Sequence, residues 1–500
     1  MITVLILLVA LGVLGWGFYR AIPLGKPGIL AWLQSVTLML PWLLFFGTAA
    51  AGIYISLVGV LSLLVGSTLV YIALGRWLRD LVGDEKLLKR SPPTSESSAV
   101  SQVNFSVEPA SPHVDAAPKT LPEPVKDPAM PIIPEADLQA IRGIFGVDTF
   151  FAVETIAYQN GAIFKGNLRG EPEASYNRLA ATLKERLDDR YRLFLVEGVE
   201  QKPVVVVLPS SSDPKPITLT QTLLAVGLVL ATIATCLETG GLMLGFDFFV
   251  APERWTEVVP IASGILLILA IHEVGHWLVA KRYQVQLTLP FFLPVLQIGS
   301  FGAITRFVSL LPHRTALFDI AFAGPAIGGL VSLGMLVTGL LLSHADSFFQ
   351  LPSEFFQGSI LVGTLAKVIL GNMLQQSLVN VHPLVVVGWL GLVITAINLL
   401  PAGQLDGGRI MQSIYGRKVA ARTTVLSLIV LGLAALVNPL ALYWAIAILF
   451  LQRDLERPAL NELTEPNDAR AALGLLILFL MAATLLPLTP SLAGRLGIGG

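Results

Sequence analysis

Long apolar runs separated by short polar breaks organise this chain. The runs at 2–19, 29–47, 51–75, 217–237, 259–280, 317–341 and 383–400 are long enough as helices, rising about 1.5 Å per residue, to cross a hydrocarbon core of about 30 Å. Residues 423–452 predict two short spans broken near Asn438-Pro439, and 471–487 predict a last one. The pattern thus predicts a polytopic α-helical membrane protein of about ten apolar spans. The run from Ile2 to Tyr19 has no basic leading region and no clear small-residue cleavage site, so it reads as a retained anchor rather than a removed signal peptide.

Lys and Arg positions orient the spans. Arg20 and Lys26 lie between the first two runs, and Arg76, Arg79, Lys86, Lys89 and Arg90 follow the third. These flanks are expected on the cytoplasmic side, as are Lys281, Arg282, Arg409, Arg417, Lys418, Arg422, Arg453 and Arg457. The acidic segment 238–257 and the segment 342–358 are expected outside.

The one large polar interruption divides in two. Residues 91–134 hold ten prolines among Ser, Val, Glu and Ala, a composition that favours extended chain over a packed core, and they read as a disordered tether. Residues 135–209 read as a small cytoplasmic α/β domain: a helix at 135–145, strands at 150–158 and 162–166 around Asn160-Gly161, a helix at 174–189, and strands at 192–196 and 204–208. The organisation expected is 1–90 N-terminal spans, 91–134 tether, 135–209 soluble domain, 217–452 membrane core and 453–500 C-terminal span and tail.

Composition agrees with the hydropathy. Of the residues, 54% are hydrophobic and 13% charged, about half the charge of an average soluble domain. A formal net charge of -1 and the lack of any Lys/Arg-rich run give no reason to expect nucleic acid binding. The single cysteine, Cys236, excludes an internal disulfide framework and a cysteine-based metal site.

The chemistry sits at His272-Glu273-Val274-Gly275-His276, inside the apolar run 261–280. A carboxylate at the centre of a membrane helix costs about 3 kcal/mol on insertion scales, so an ionisable group there is a functional candidate. His272 and His276 stand one helical turn apart and project from one face, as two ligands of one Zn²⁺ must. Histidines buried for mutual hydrogen bonding are the alternative. Asp406, in Leu405-Asp406-Gly407-Gly408, lies at a matching depth at the end of the run 383–400, after Pro401. It reads either as a third ligand or as the cap of an interfacial turn. His313, His344, His382 and His113 read as interfacial, capping or tether residues.

The spaced pair His272-Glu273-x-x-His276 and Asn398-x-x-Pro401-x-x-x-Leu405-Asp406-Gly407-Gly408 resembles the paired signature of the site-2 protease intramembrane metalloproteases. Gly299-Ser300-Phe301-Gly302-Ala303 and Ala323-Gly324-Pro325 through Gly328-Gly329 also resemble elements of that family, so the likeness covers roughly 217–452. Gly166-Asn167-Leu168-Arg169-Gly170 resembles the EGY-like branch of cyanobacteria and plastids. The resemblance implies one Zn²⁺ held by His272, His276 and Asp406, with Glu273 as general base. It implies for Asn398 a part in holding substrate or oxyanion, beside its simpler role as a helix-terminal hydrogen-bonding residue.

A hydrolase in lipid needs water at the metal and an unwound substrate. The polar-apolar alternation of Gln284 to Leu289, followed by Pro290, Pro294, Gly299 and Gly302, predicts a re-entrant β-like segment beside the zinc, whose edge pairs with a substrate strand. The expected activity is zinc endoproteolysis, within the bilayer, of a transmembrane segment of another protein, in a plasma or thylakoid membrane if the chain is cyanobacterial, with the active site toward the cytoplasm. The competing classes are a metal-dependent transporter, which predicts polar groups spread along a path, and a catalytically inactive membrane chaperone of protease descent.

Overall fold

A computed structural model describes residues 133–498 apart from 159, 199–201, 348, 437 and 453, together with 17–50 and scattered positions between 14 and 77. The anchor expected at 2–19, the span at 51–75 and the tether at 91–134 lie wholly or largely outside these residues, as does His113. The chain forms two compact units, Met1–Glu123 and Pro124–Gly500. In the first, the helix α1 (Gly25–Ala50) follows a single 3-10 turn.

The second unit begins with an α/β module: α2 (Glu135–Arg142), β1 (Phe150–Tyr158), β2 (Gly161–Leu168), α3 (Pro172–Leu187), β3 (Tyr191–Glu197) and β4 (Pro203–Pro209). The strands pair antiparallel in the order β1-β2-β4-β3. Asn160-Gly161 turns β1 into β2, and Pro172 opens α3, where a missing N–H costs nothing. Leu179, Leu183 and Leu187, four residues apart on α3, are buried with Val205 and Val207, two apart on β4. The helical and strand periods therefore meet on one face of the sheet. Phe145 packs on Phe164 with ring centroids 4.7 Å apart.

The rest of the second unit contains α4 (Leu219–Met243), α5 (Trp255–Arg282), the hairpin β5 (Phe291–Val295) and β6 (Gly299–Ile304), and α6 (Arg314–Leu341). It continues with β7 (Phe349–Pro352), α7 (Ile360–Leu370), β8 (Leu378–Val381), α8 (Pro383–Asn398), α9 (Asp406–Ala434), α10 (Pro439–Ala447), α11 (Asp468–Leu485) and α12 (Pro490–Leu496). Among the described residues, four helices are long and apolar enough to cross a membrane: Leu219–Met243, Pro252–Arg282, Arg314–Leu341 and Asp468–Leu485. Three shorter apolar helices accompany them.

Two local departures from the hydropathy reading have clear causes. The alternating stretch at Gln284 to Leu289 makes only one isolated bridge, Leu287 to Phe307; the regular pairing lies further on, in β5 and β6. Gly299 and Gly302 adopt φ of 82° and 104°, which suits glycine, and they bend this hairpin into place. The α7 helix and the β7–β8 pair were not expected, because α7 is too short to register as a span and the two strands lie far apart in sequence. Helix α9 is interrupted at Gly416, φ 79°, and α10 restarts where Asn438 caps Leu440 through its side chain.

The extended residues 460–462 join module to core. The amide of Leu195 on β3, an edge strand, donates to the Leu460 carbonyl at 2.8 Å, and Glu462 donates back to Leu195 at 2.9 Å. On its other side the strap donates from Leu460 to Leu311 at 2.8 Å and from Asn461 to Pro312 at 3.0 Å. It thereby covers a sheet edge that would otherwise offer unpaired backbone groups.

Candidate metal centre

Helix α5 carries His272, Glu273 and His276 into the core. It approaches α6 closely because Gly275 has no side chain: a Cβ there would stand 2.8 Å from the Ala323 carbonyl oxygen. That approach lets His276 Nδ1 reach the Ile320 carbonyl at 2.7 Å. As donor to that carbonyl, Nδ1 holds the proton and leaves the Nε2 lone pair free, the arrangement a ligating imidazole needs.

Asp406 arrives from the opposite direction. The α8 helix ends at Asn398, the chain turns through Pro401, and α9 opens at Asp406. A Cβ on Gly408 would stand 2.7 Å from the Ala402 carbonyl carbon, so the glycine permits the tight seating of this first turn. The Asp406 side chain makes no cap; it points at the imidazoles instead. Its Oδ2 lies 3.2 Å from His272 Nε2 and 3.4 Å from His276 Nε2, and the two Nε2 atoms are 3.1 Å apart. Zinc bonds of about 2.0–2.1 Å put tetrahedral donors about 3.3–3.4 Å apart, close to these separations. His276 and Asp406 are buried, so the donor set fits one zinc ion in a largely dry setting.

Glu273 offers a carboxylate oxygen within 4.8 Å of the ring nitrogens, and its Oε2 accepts from Thr305 Oγ1 at 2.7 Å. Two cavities of about 10 Å³ flank it, one beside His276, Thr305 and Asp406, the other beside His272, Gly302 and Thr395. Each is about large enough for one water. Gln404 borders the first of these and also a cleft of about 400 Å³ that runs along Arg306–Leu311 toward Lys215 and Arg457.

The structure brings His272, Glu273, His276 and Asp406 together and sets Asn398 beside them. Both Asn398 amide hydrogens are engaged, with Nδ2 donating to the carbonyls of Phe301 and Ile394 at 2.8 Å each. Asn398 thus pins the β6 strand to α8. His313 and His382 cap α6 and α8 by accepting from the amides of Ala316 and Leu384, and His344 accepts from Asp346; all three stand apart from the centre. Sequence reasoning missed Thr305, Arg409 and Glu456. Arg409 Nη2 donates to the Thr305 carbonyl at 2.7 Å and pairs with Glu456 at 3.0 Å. Only the placement of Arg409 three residues after Asp406 on one helix hinted at its position.

Residues 260–437 match the profile of peptidase family M50, and residues 139–216 match the EGY3 middle domain. The chain is 37% identical over 402 residues to the probable zinc metalloprotease EGY1, chloroplastic, of Arabidopsis thaliana, covering 73% of each chain. It is 39% identical over 363 residues to the probable zinc metalloprotease EGY2, chloroplastic, of the same plant, covering 71% of this chain and 65% of the relative. Its identity to the probable zinc metalloprotease EGY3, chloroplastic, of Oryza sativa subsp. indica is 33% over 376 residues, covering 70% and 64%. The chain therefore spans about two thirds of the length of these relatives. No solved structure matches it.

Proposed function

The chain belongs to peptidase family M50, among the zinc metalloproteases of the EGY type, and on that footing we propose that it hydrolyses a peptide bond in or near a transmembrane segment of another membrane protein. The observation that carries the reading is the convergence of His272 Nε2, His276 Nε2 and Asp406 Oδ2 within 3.4 Å of one another, with the Glu273 carboxylate beside them. These three side chains would hold the zinc. Bound there, it would supply Lewis-acid activation of water and of the scissile carbonyl.

The remaining work falls to the chain's own residues. Glu273 takes a proton from the attacking water as the water oxygen bonds to the carbonyl carbon, then gives that proton to the amide nitrogen, so that the carbon–nitrogen bond breaks and the amine leaves neutral. Burial of the site excludes bulk water, and the two water-sized cavities admit single molecules to Glu273. The β5–β6 hairpin, anchored by Asn398, presents backbone to an unwound substrate strand, which solves the problem of a peptide bond hidden in a helical hydrogen-bond ladder. The positive flanks set the module and the open cleft on the cytoplasmic side, and the plastid setting of the relatives favours a photosynthetic membrane, plasma or thylakoid. A transporter would spread its polar groups along a path, whereas these cluster at one depth around Glu273.

The test is cleavage in proteoliposomes holding the purified full chain, zinc and a single-span reporter tagged at both ends, with Gly-Pro inside its span. Glu273→Gln is expected to keep one zinc per chain while cleavage slows by a factor of about 10²–10⁴. Reporter cleavage by Glu273→Gln at the wild-type rate would remove Glu273 from the chemistry.

A further inference from the structure

We propose that Thr305 is a positioning residue for the base Glu273, and that the buried Arg409–Glu456 pair holds Thr305 in register. The inference rests on the proteolytic reading of the site and deepens it. Glu273 neighbours a metal ligand in sequence, and its flexible side chain has enough reach to swing onto the ion and occupy the position that water needs. The Thr305 hydroxyl, 2.7 Å from Oε2, ties one carboxylate oxygen to the far wall and leaves the other to accept a proton. Hydrogen bonds of this kind fix the orientation of groups around a metal.

Thr305 lies just beyond β6, outside the hairpin's pairing, so its placement needs another hold. Arg409 provides it. The guanidinium donates to the Thr305 carbonyl at 2.7 Å, lies 4.7 Å above the centre of the Phe307 ring, and pairs with Glu456 through Nε at 3.1 Å and Nη2 at 3.0 Å. Arg409 is 5% exposed and Glu456 7%. A buried ion pair adds little net stability over apolar residues of the same volume, so its effect is sought in what it aligns. Glu456 is itself gripped twice by Gln412, whose amide donates to the Glu456 carbonyl at 3.1 Å and whose Oε1 accepts from the Glu456 amide at 3.0 Å. Arg409 and Gln412 share with Asp406 the first two turns of α9, so one helix delivers a metal donor and the clamp on the base.

The experiment uses the purified full chain in detergent with zinc, fluorescein-labelled casein as the unfolded probe, and the variants Thr305→Val, Thr305→Ser, Glu456→Gln and Thr305→Val/Glu456→Gln. Thr305→Val is expected to lower kcat about 10–100-fold with KM and zinc content unchanged, and Thr305→Ser, which keeps the hydroxyl, to restore most of it. Glu456→Gln is expected to lower kcat by a smaller factor, and the double variant to be no slower than Thr305→Val alone, because the two act in series. Wild-type kcat in Thr305→Val, loss of its zinc, failure of serine to rescue, or losses that multiply in the double variant would each overturn the proposal. Cleavage by Glu273→Gln at the wild-type rate overturns instead the role of Glu273, and is distinguishable because Thr305 is then intact.

Discussion

Replacing Gly324 with alanine tests the metal centre through sterics alone. A methyl at that position would stand 2.7 Å from both Cδ2 and Cε1 of His276, and nearer still to Nε2. Carbon atoms in contact keep about 3.5–4.0 Å, so the ring has to retreat by about 1 Å. It cannot rotate aside, because Nδ1 is committed to the Ile320 carbonyl one turn away on the same helix. Nor can α5 and α6 separate readily, since Gly275 already rests on the Ala323–Gly324 backbone. Ligand distances tolerate only about 0.2 Å. We expect Gly324→Ala to lose about 10–100-fold in zinc affinity, the scale of losses when a ligand's support is disturbed, with an overpacking cost of about 1–3 kcal/mol in stability. Two neighbours grade the effect. A methyl on Gly328 would lie 3.2 Å from His272 Cβ and Nδ1, and one on Gly329 3.5 Å from Thr395 Cγ2, so Gly328→Ala should weaken zinc slightly and Gly329→Ala not at all. The assay is zinc per chain, by mass spectrometry of the metal, after equilibration against a chelator series. Wild-type zinc affinity in Gly324→Ala, or a different order among the three, would refute the reasoning.

Two further predictions concern a ligand and the strap. Asp406→Ala is expected to lower zinc affinity by about 100-fold or more, beyond the usual loss for an outer-sphere change; full stoichiometry under the same chelator series would take it out of the donor set. Burial raises the Glu462 carboxyl above its ordinary range, against the pull of Arg417 and Arg314. The folded strap thus favours the protonated acid, and the ionised form becomes a burden as pH climbs through the raised value. Glu462→Gln should therefore raise the thermal midpoint near neutral pH and leave it unchanged in acid below the normal carboxyl range, as read by calorimetry; an equal gain at both ends would contradict this.

Much of the centre is legible in the chain because its parts are local. Two imidazoles four residues apart need only helical periodicity to share a face, and a carboxylate within an apolar run has few harmless explanations. Asp406 was reachable through depth, since a span boundary and a proline place it. The alternation at Gln284 to Leu289 predicts a β-like segment, yet the paired strands begin only at Phe291 and form a hairpin; a period of two announces extended chain but does not choose the partner. Thr305 and Glu456 could not be read at all. Their meaning arises from contacts across 32 and 47 residues, and neither stands in a pattern that sets it apart from an ordinary Thr or a loop Glu.

The late position of Glu456 has a consequence for biogenesis. Every donor of the centre leaves the ribosome before Glu456 does, so a nascent chain that has already inserted His272, His276 and Asp406 still carries an Arg409 without its Glu456 counter-charge. Removing one partner of a buried pair costs about 3–5 kcal/mol, and that arginine has every reason to stay in water until Glu456 emerges. Thr305 and its clamp therefore take their final alignment only after Glu456 has emerged, later than the donors they serve.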